Sequence, residues 1–154
     1  MSDQRKSIDE QIDELNDIIA KSYDAEKGYK EAADKADSPE LKTLFREYAQ
    51  QRYDFGHQIK DEIRKLGGEI EKGDTIASKM HRAWMDLRAA FTQNDDAAII
   101  KEAIRGENNA LSHYQDTLEE MPMTSSAHVL LVNQRNQIRS AIERLEQLLP
   151  AYSS

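Results

Sequence analysis

Apolar residues recur along this chain in long stripes separated by short polar breaks. The first stripe runs Ile8, Ile12, Leu15, Ile19, Ser22, Glu26, Tyr29, Ala33, alternating steps of four and three. That spacing marks one face of an α-helix. Ser7 and Glu10 form a capping-box pattern at its start. Asp37-Ser38-Pro39 ends it and begins the next helix, with Ser38 predicted as N-cap and Pro39 at the first helical position. The second stripe is Leu41, Phe45, Tyr48, Arg52, Phe55, Ile59, Glu62 or Ile63, and Leu66, and Gly67-Gly68 is its stop signal. So short a break at Pro39 predicts an antiparallel hairpin.

Glu69 to Thr75 reads as a polar loop, followed by a shorter helix with Met80, Trp84, Leu87 and Phe91 on one face. Asn94-Asp95-Asp96 breaks that helix and caps a third long one, striped Ile100, Ile104, Glu107, Leu111, Tyr114, Leu118, Met121. Pro122 ends it. Thr124-Ser125-Ser126 starts the last helix, striped His128, Leu131, Arg135, Ile138, Ile142, Leu145, Leu149. The expected fold class is all-α, with residues 1–154 as a single domain. Hairpins over 8–66 and 95–149 are joined by a crossover, 67–94, that contains the short extra helix. Two antiparallel hairpins with one long crossover form a four-helix bundle of ferritin-like topology.

Composition agrees with long solvated helices: charged residues are 32% with both signs interspersed, and Gly and Pro are scarce. The absence of cysteine excludes a disulfide scaffold, a thiolate metal site and a Cys nucleophile. A net charge of −8 argues against nucleic acid or an anionic membrane as partner. The N-terminal stretch lacks an apolar signal core, and no apolar run reaches membrane-spanning length. A soluble, cytoplasmic protein is expected.

The informative residues are those that interrupt the stripes. Each long helix carries one charge near mid-seam, in the order Glu26, Arg52, Glu107, Arg135. The midpoint of Glu26 and Arg52 falls at 39 and that of Glu107 and Arg135 at 121, both at or near a predicted turn. Glu and Arg of each hairpin should therefore lie at similar height. The expectation is a neutral core network of two glutamates and two arginines, with the planar guanidinium binding a carboxylate through two hydrogen bonds. The alternative places one or more of them at a seam edge with the head in solvent.

Leu44-Phe45-x-x-x-Ala49, Gly67-Gly68 and Ile104-x-Gly106-Glu107 resemble rubrerythrin-type members of the ferritin-like superfamily. Other segments more closely resemble a bacterial family of unknown function, known only as four-helix-bundle proteins. They are Glu26-Lys-Gly-Tyr29 with Ala32-Ala33, Glu40-Leu-Lys with Tyr48-Ala-x-x-Arg52, His81-Arg-x-Trp84 and Arg105-Gly-Glu107. The resemblance spans Leu15 to Leu118. Ferritin-like di-iron proteins use a Glu on each of two helices and a Glu-x-x-His on each of the other two. The resemblance assigns Glu26 and Glu107 to the single glutamates. At the two Glu-x-x-His positions this chain has Arg52-x-x-Phe55 and Arg135-x-x-Ile138. The resemblance thus implies a lost metal site, with no cofactor and guanidinium groups in place of iron.

The remaining candidates are weaker. None of His57, His81, His113 and His128 forms a local metal-ligand pair. His81, Arg82 and Trp84 form a cluster that either pins the crossover by packing or presents an interaction surface. Tyr23, Tyr29, Tyr48, Tyr53 and Tyr114 supply hydroxyls around the polar core. The leading functional expectation is a non-catalytic structural or interaction protein, with stress association implied only by the superfamily. One rival is a metal-binding or peroxide-handling enzyme using Glu26 and Glu107. The other is a small-ligand-binding helical bundle. A homodimer or an unknown protein partner stays open.

Overall fold

The computed structural model describes residues 7–79 and 95–153, and all their regular elements are α-helices. They are α1 (Ile8–Lys35), α2 (Pro39–Lys65), α3 (Gly73–Lys79), α4 (Asp96–Glu120) and α5 (Ser126–Tyr152). Met80, His81, Arg82, Trp84, Leu87 and Phe91, which the sequence places on the extra helix, lie outside the described residues.

Local chemistry sets the helix ends. Ser7 and Glu10 complete the capping box of α1, and Ser38 caps α2 with Pro39 in its first turn. Asp95 caps α4, and Ser125 caps α5. Gly67, at φ 77°, supplies the left-handed residue that turns the chain after α2. Two boundaries differ from the sequence expectation. α3 begins at Gly73, inside the stretch read as loop. α5 continues through Pro150 to Tyr152, where the Tyr152 hydroxyl bonds Ser38 and Glu40, each at 3.1 Å. A proline in a final turn removes one backbone hydrogen bond, and this tether secures the turn beyond it.

α1 packs on α2 and α4 on α5, while α1 also lies beside α4 and α2 beside α5. Contacts at the ends fix the directions. At one end Asp96 accepts from the backbone N–H of Asp37 at 2.8 Å and of Ser38 at 3.0 Å. At the other, Ser126 donates to Glu62 at 2.6 Å and Thr117 to Glu14 at 3.0 Å. Each of these neighbouring pairs is therefore antiparallel, and α2 and α4 run the same way without lying side by side. The chain leaves α2 at one end and enters α4 at the other. The first part of that connection is pinned on α1, where Asn16 donates to the Glu69 carbonyl and accepts from the Glu71 N–H. Lys79 adds ion pairs to Asp17 and Glu71.

The apolar interior forms two clusters. One gathers Tyr29, Ala33, Leu41, Phe45, Ala49, Ile99, Ala103 and Leu145 toward the Asp96 end. The other gathers Leu15, Ile19, Phe55, Ile59, Tyr114, Leu131 and Ile138 toward the Ser126 end. Ser22, Arg52 and Glu107, all buried, fall between them in sequence along α1, α2 and α4. A thin polar layer thus interrupts the core.

Candidate functional site

Arg52 sits on the inner face of α2 between Ala49 and Phe55, and Glu107 on the inner face of α4 between Ala103 and Tyr114. Their helical steps of three and four leave these side chains no exit to water. Arg52 is 1% exposed and Glu107 0%. The two meet across the core from helices that are not neighbours. Arg52 Nη2 lies 2.6 Å from both Oε1 and Oε2 of Glu107. This is a single nitrogen spanning the carboxylate, not the parallel fork expected from the sequence, and Arg52 Nε is buried without an acceptor.

Tyr29 of α1 donates a hydrogen bond from its hydroxyl to Glu107 Oε2. The guanidinium carbon lies 5.4 Å from the Phe55 ring centre and 5.7 Å from that of Tyr29, within cation–π range. Burial and then the Glu107 carboxylate push the Tyr29 phenol well above its ordinary pKa, against the opposing Arg52 charge. Burial works against the Arg52 cation, but Glu107 and Tyr29 outweigh it and its pKa is raised. Tyr29 therefore stays a donor and Arg52 a cation. Such an arrangement holds charge in balance, with both oxygens of the one carboxylate engaged.

A second chain of polar groups lies next to this pair. Tyr114 donates to Gln134 Oε1 at 2.7 Å and hydrogen-bonds Ser22. Gln134 in turn donates to Gln58 Oε1 at 3.0 Å and the Phe55 carbonyl at 3.3 Å. Burial raises the Tyr114 pKa as well.

The other two charges of the expected network are elsewhere. Glu26 is half-buried at the edge of α1 and pairs with Lys30 at 2.8 Å, while Ala25 takes the inward position. Arg135 is half-buried and donates to Asn136 at 3.2 Å, while the fully buried residue is Gln134. Both departures are the same one-residue slip. After Ser22 and after Leu131 the core face advances by three residues, where the sequence reading advanced by four. At 3.6 residues per turn either step keeps a stripe. Gln134 was legible by that rule, since it lies three after Leu131 and four before Ile138.

The described histidines stand apart. His57 is exposed with its ring 4.4 Å from that of Tyr53, and His128 is half-buried in the first turn of α5. His113 is half-buried beside Asp17, Lys21 and Lys79. Among the described residues no three His, Asp or Glu side chains converge in a geometry that could hold a metal ion. At Glu107 both carboxylate oxygens are already engaged by a cation. His81, Arg82 and Trp84 lie outside the described residues.

Residues 10–120 match the model of a family described as a domain of unknown function, DUF2383. No curated protein matches the chain.

Proposed function

We propose that this chain, which belongs to the DUF2383 family by the match over residues 10–120, is a non-catalytic ferritin-like four-helix bundle serving as a structural or interaction protein. The observation that carries this reading is the Arg52 guanidinium, 2.6 Å from both oxygens of the buried Glu107 carboxylate. The neighbour relations and directions of α1, α2, α4 and α5 support the ferritin-like arrangement, since α2 ends and α4 begins at opposite ends of the helices.

In a di-iron protein of that topology, Glu107 would be a ligand and the Arg52 position would supply another carboxylate with a histidine three residues on. The residues present do not fit such a group. Arg52 and Phe55 occupy one ligand pair, and Glu26 pairs with Lys30. A guanidinium adjacent to a would-be carboxylate ligand supplies the positive charge itself and disfavours a second cation. On this reading the scaffold keeps the neutral centre and dispenses with metal.

Ferrous ion added under air, and separately hydrogen peroxide with a reductant, tests the absence of catalysis. The expected rates equal those of protein-free buffer. Acceleration that disappears in Glu107→Gln would overturn the proposal in favour of an enzyme using that carboxylate.

A further inference from the structure

The connection that leaves α2 is fastened to α1 at its start. Asn16 holds the backbone of Glu69 and Glu71, and the Ile76 side chain is buried. Lys79 of α3 bridges Asp17 of α1 at 3.0 Å and Glu71 of the connection itself at 2.8 Å. The Lys79–Asp17 ion pair thus joins α3 to α1. Beside it is a recess of about 180 Å³, lined by Asp17, Lys21, Lys79 and His113 of α4. Three elements meet there around one carboxylate.

His113 is seated there as a neutral ring. Its Nε2 is buried and has no hydrogen-bond partner. A neutral imidazole has one donor and one acceptor nitrogen, whereas the charged ring donates from both. Protonation therefore leaves a buried N–H with nothing to accept it, which is costly. It also sets a third cation beside Lys21 and Lys79. Burial and then Lys21 lower the His113 pKa, against Glu14 and Asp17 of α1 and Asp116 of α4. A group that one arrangement holds neutral drives that arrangement open as acid protonates it. Of the three carboxylates, Asp17 lines the recess, while Glu14 accepts from Thr117. A charged ring that turns out of its seat competes with Lys79 for Asp17. Lys79 keeps Glu71 when it gives up Asp17, and Asp17 keeps a cation throughout.

We infer that this cluster is an acid-sensitive partner switch: protonation turns the His113 ring to Asp17, displaces Lys79 and loosens α3 from α1. A tie between α1 and α3 gives way to one between α1 and α4, helices that are already neighbours. The start of the crossover then rests on the Asn16 bonds and the buried Ile76. The switch is independent of the structural role proposed above.

The test is amide hydrogen exchange of α3 in the full chain at about pH 7.5 and about pH 5, corrected for the intrinsic rate at each pH. Over that range most Asp and Glu side chains keep their charge while histidine titrates. Protection in α3 should fall about two- to fivefold on acidification, the range set by losing one partly exposed ion pair. His113→Gln should keep the higher protection at both pH values. Lys79→Met removes a half-exposed side chain and should show the lower protection at both. It keeps the test standing should His113→Gln fail to fold. Three results would overturn the inference. They are unchanged protection of α3 in the natural sequence, an equal fall in His113→Gln, which would place the sensor on another group, or an equal fall in Lys79→Met, which would mean that acid releases something other than this ion pair.

Discussion

At the scale of single residues, Arg52 and Glu107 dominate. Each is a desolvated ion whose cost is offset by the other, by the Tyr29 hydroxyl on Glu107 and by the Phe55 and Tyr29 rings beside Arg52. Burial of an ion costs several kcal/mol, so the pair adds little net stability, yet losing one member is severe. Arg52→Met should lower the unfolding free energy by ~3–5 kcal/mol in urea. Arg52→Met with Glu107→Leu should recover most of it, because both charges leave together. A single variant no worse than the double would show that the two groups do not depend on each other. Glu26→Gln, which removes a partly solvated i,i+4 pair, should change stability by under ~1 kcal/mol. Arg52 and Glu107 were legible as charges inside apolar stripes with no other explanation. Glu26 and Arg135 showed the same signal but stand at the seam edge. A charge one position off the core face has the same spacing pattern as one on it, and only neighbouring elements decide between them.

The elements explain why the polar layer is held so closely. α1 and α2 approach at Gly56, where an added Cβ would meet Tyr23 ring carbons at 2.6 and 3.0 Å. Gly56→Ala should therefore destabilise by about 1–3 kcal/mol, although alanine is the better helix former by ~1 kcal/mol. Circular-dichroism melting checks the sign, and a stabilised variant would mean that the ring moves aside freely. Helix starts and most stops were legible because their signals are local: Ser7 with Glu10, Ser38 with Pro39, Asp95, Ser125 and Gly67. The end of α5 was not, because Pro150 is a local stop signal and the tether that carries the helix past it, Tyr152 to Ser38 and Glu40, is long-range. The clamp of Asn16 on the start of the crossover was equally hidden, since it joins residues over fifty positions apart.

For the molecule as a whole, stability should vary with pH at both extremes through groups whose surroundings are known. Burial and then Lys21 lower the His113 pKa, against Glu14, Asp17 and Asp116. The unfolded chain therefore takes up that proton first, below about pH 6.5, and stability falls as pH falls from there toward the folded value. Subtracting the curve of His113→Gln should remove this component; identical curves would contradict it. Tyr29 and Tyr114 have raised pKa values, so above about pH 10 the unfolded chain loses protons that the folded one keeps, and stability falls as pH rises. We propose that the Arg52 cation stands where a ferritin-like protein would hold metal. That claim is tested most directly by elemental analysis of the chain produced in iron- and manganese-rich medium. The account predicts far less than one ion per chain. Stoichiometric iron or manganese, lost in Glu107→Gln, would contradict it.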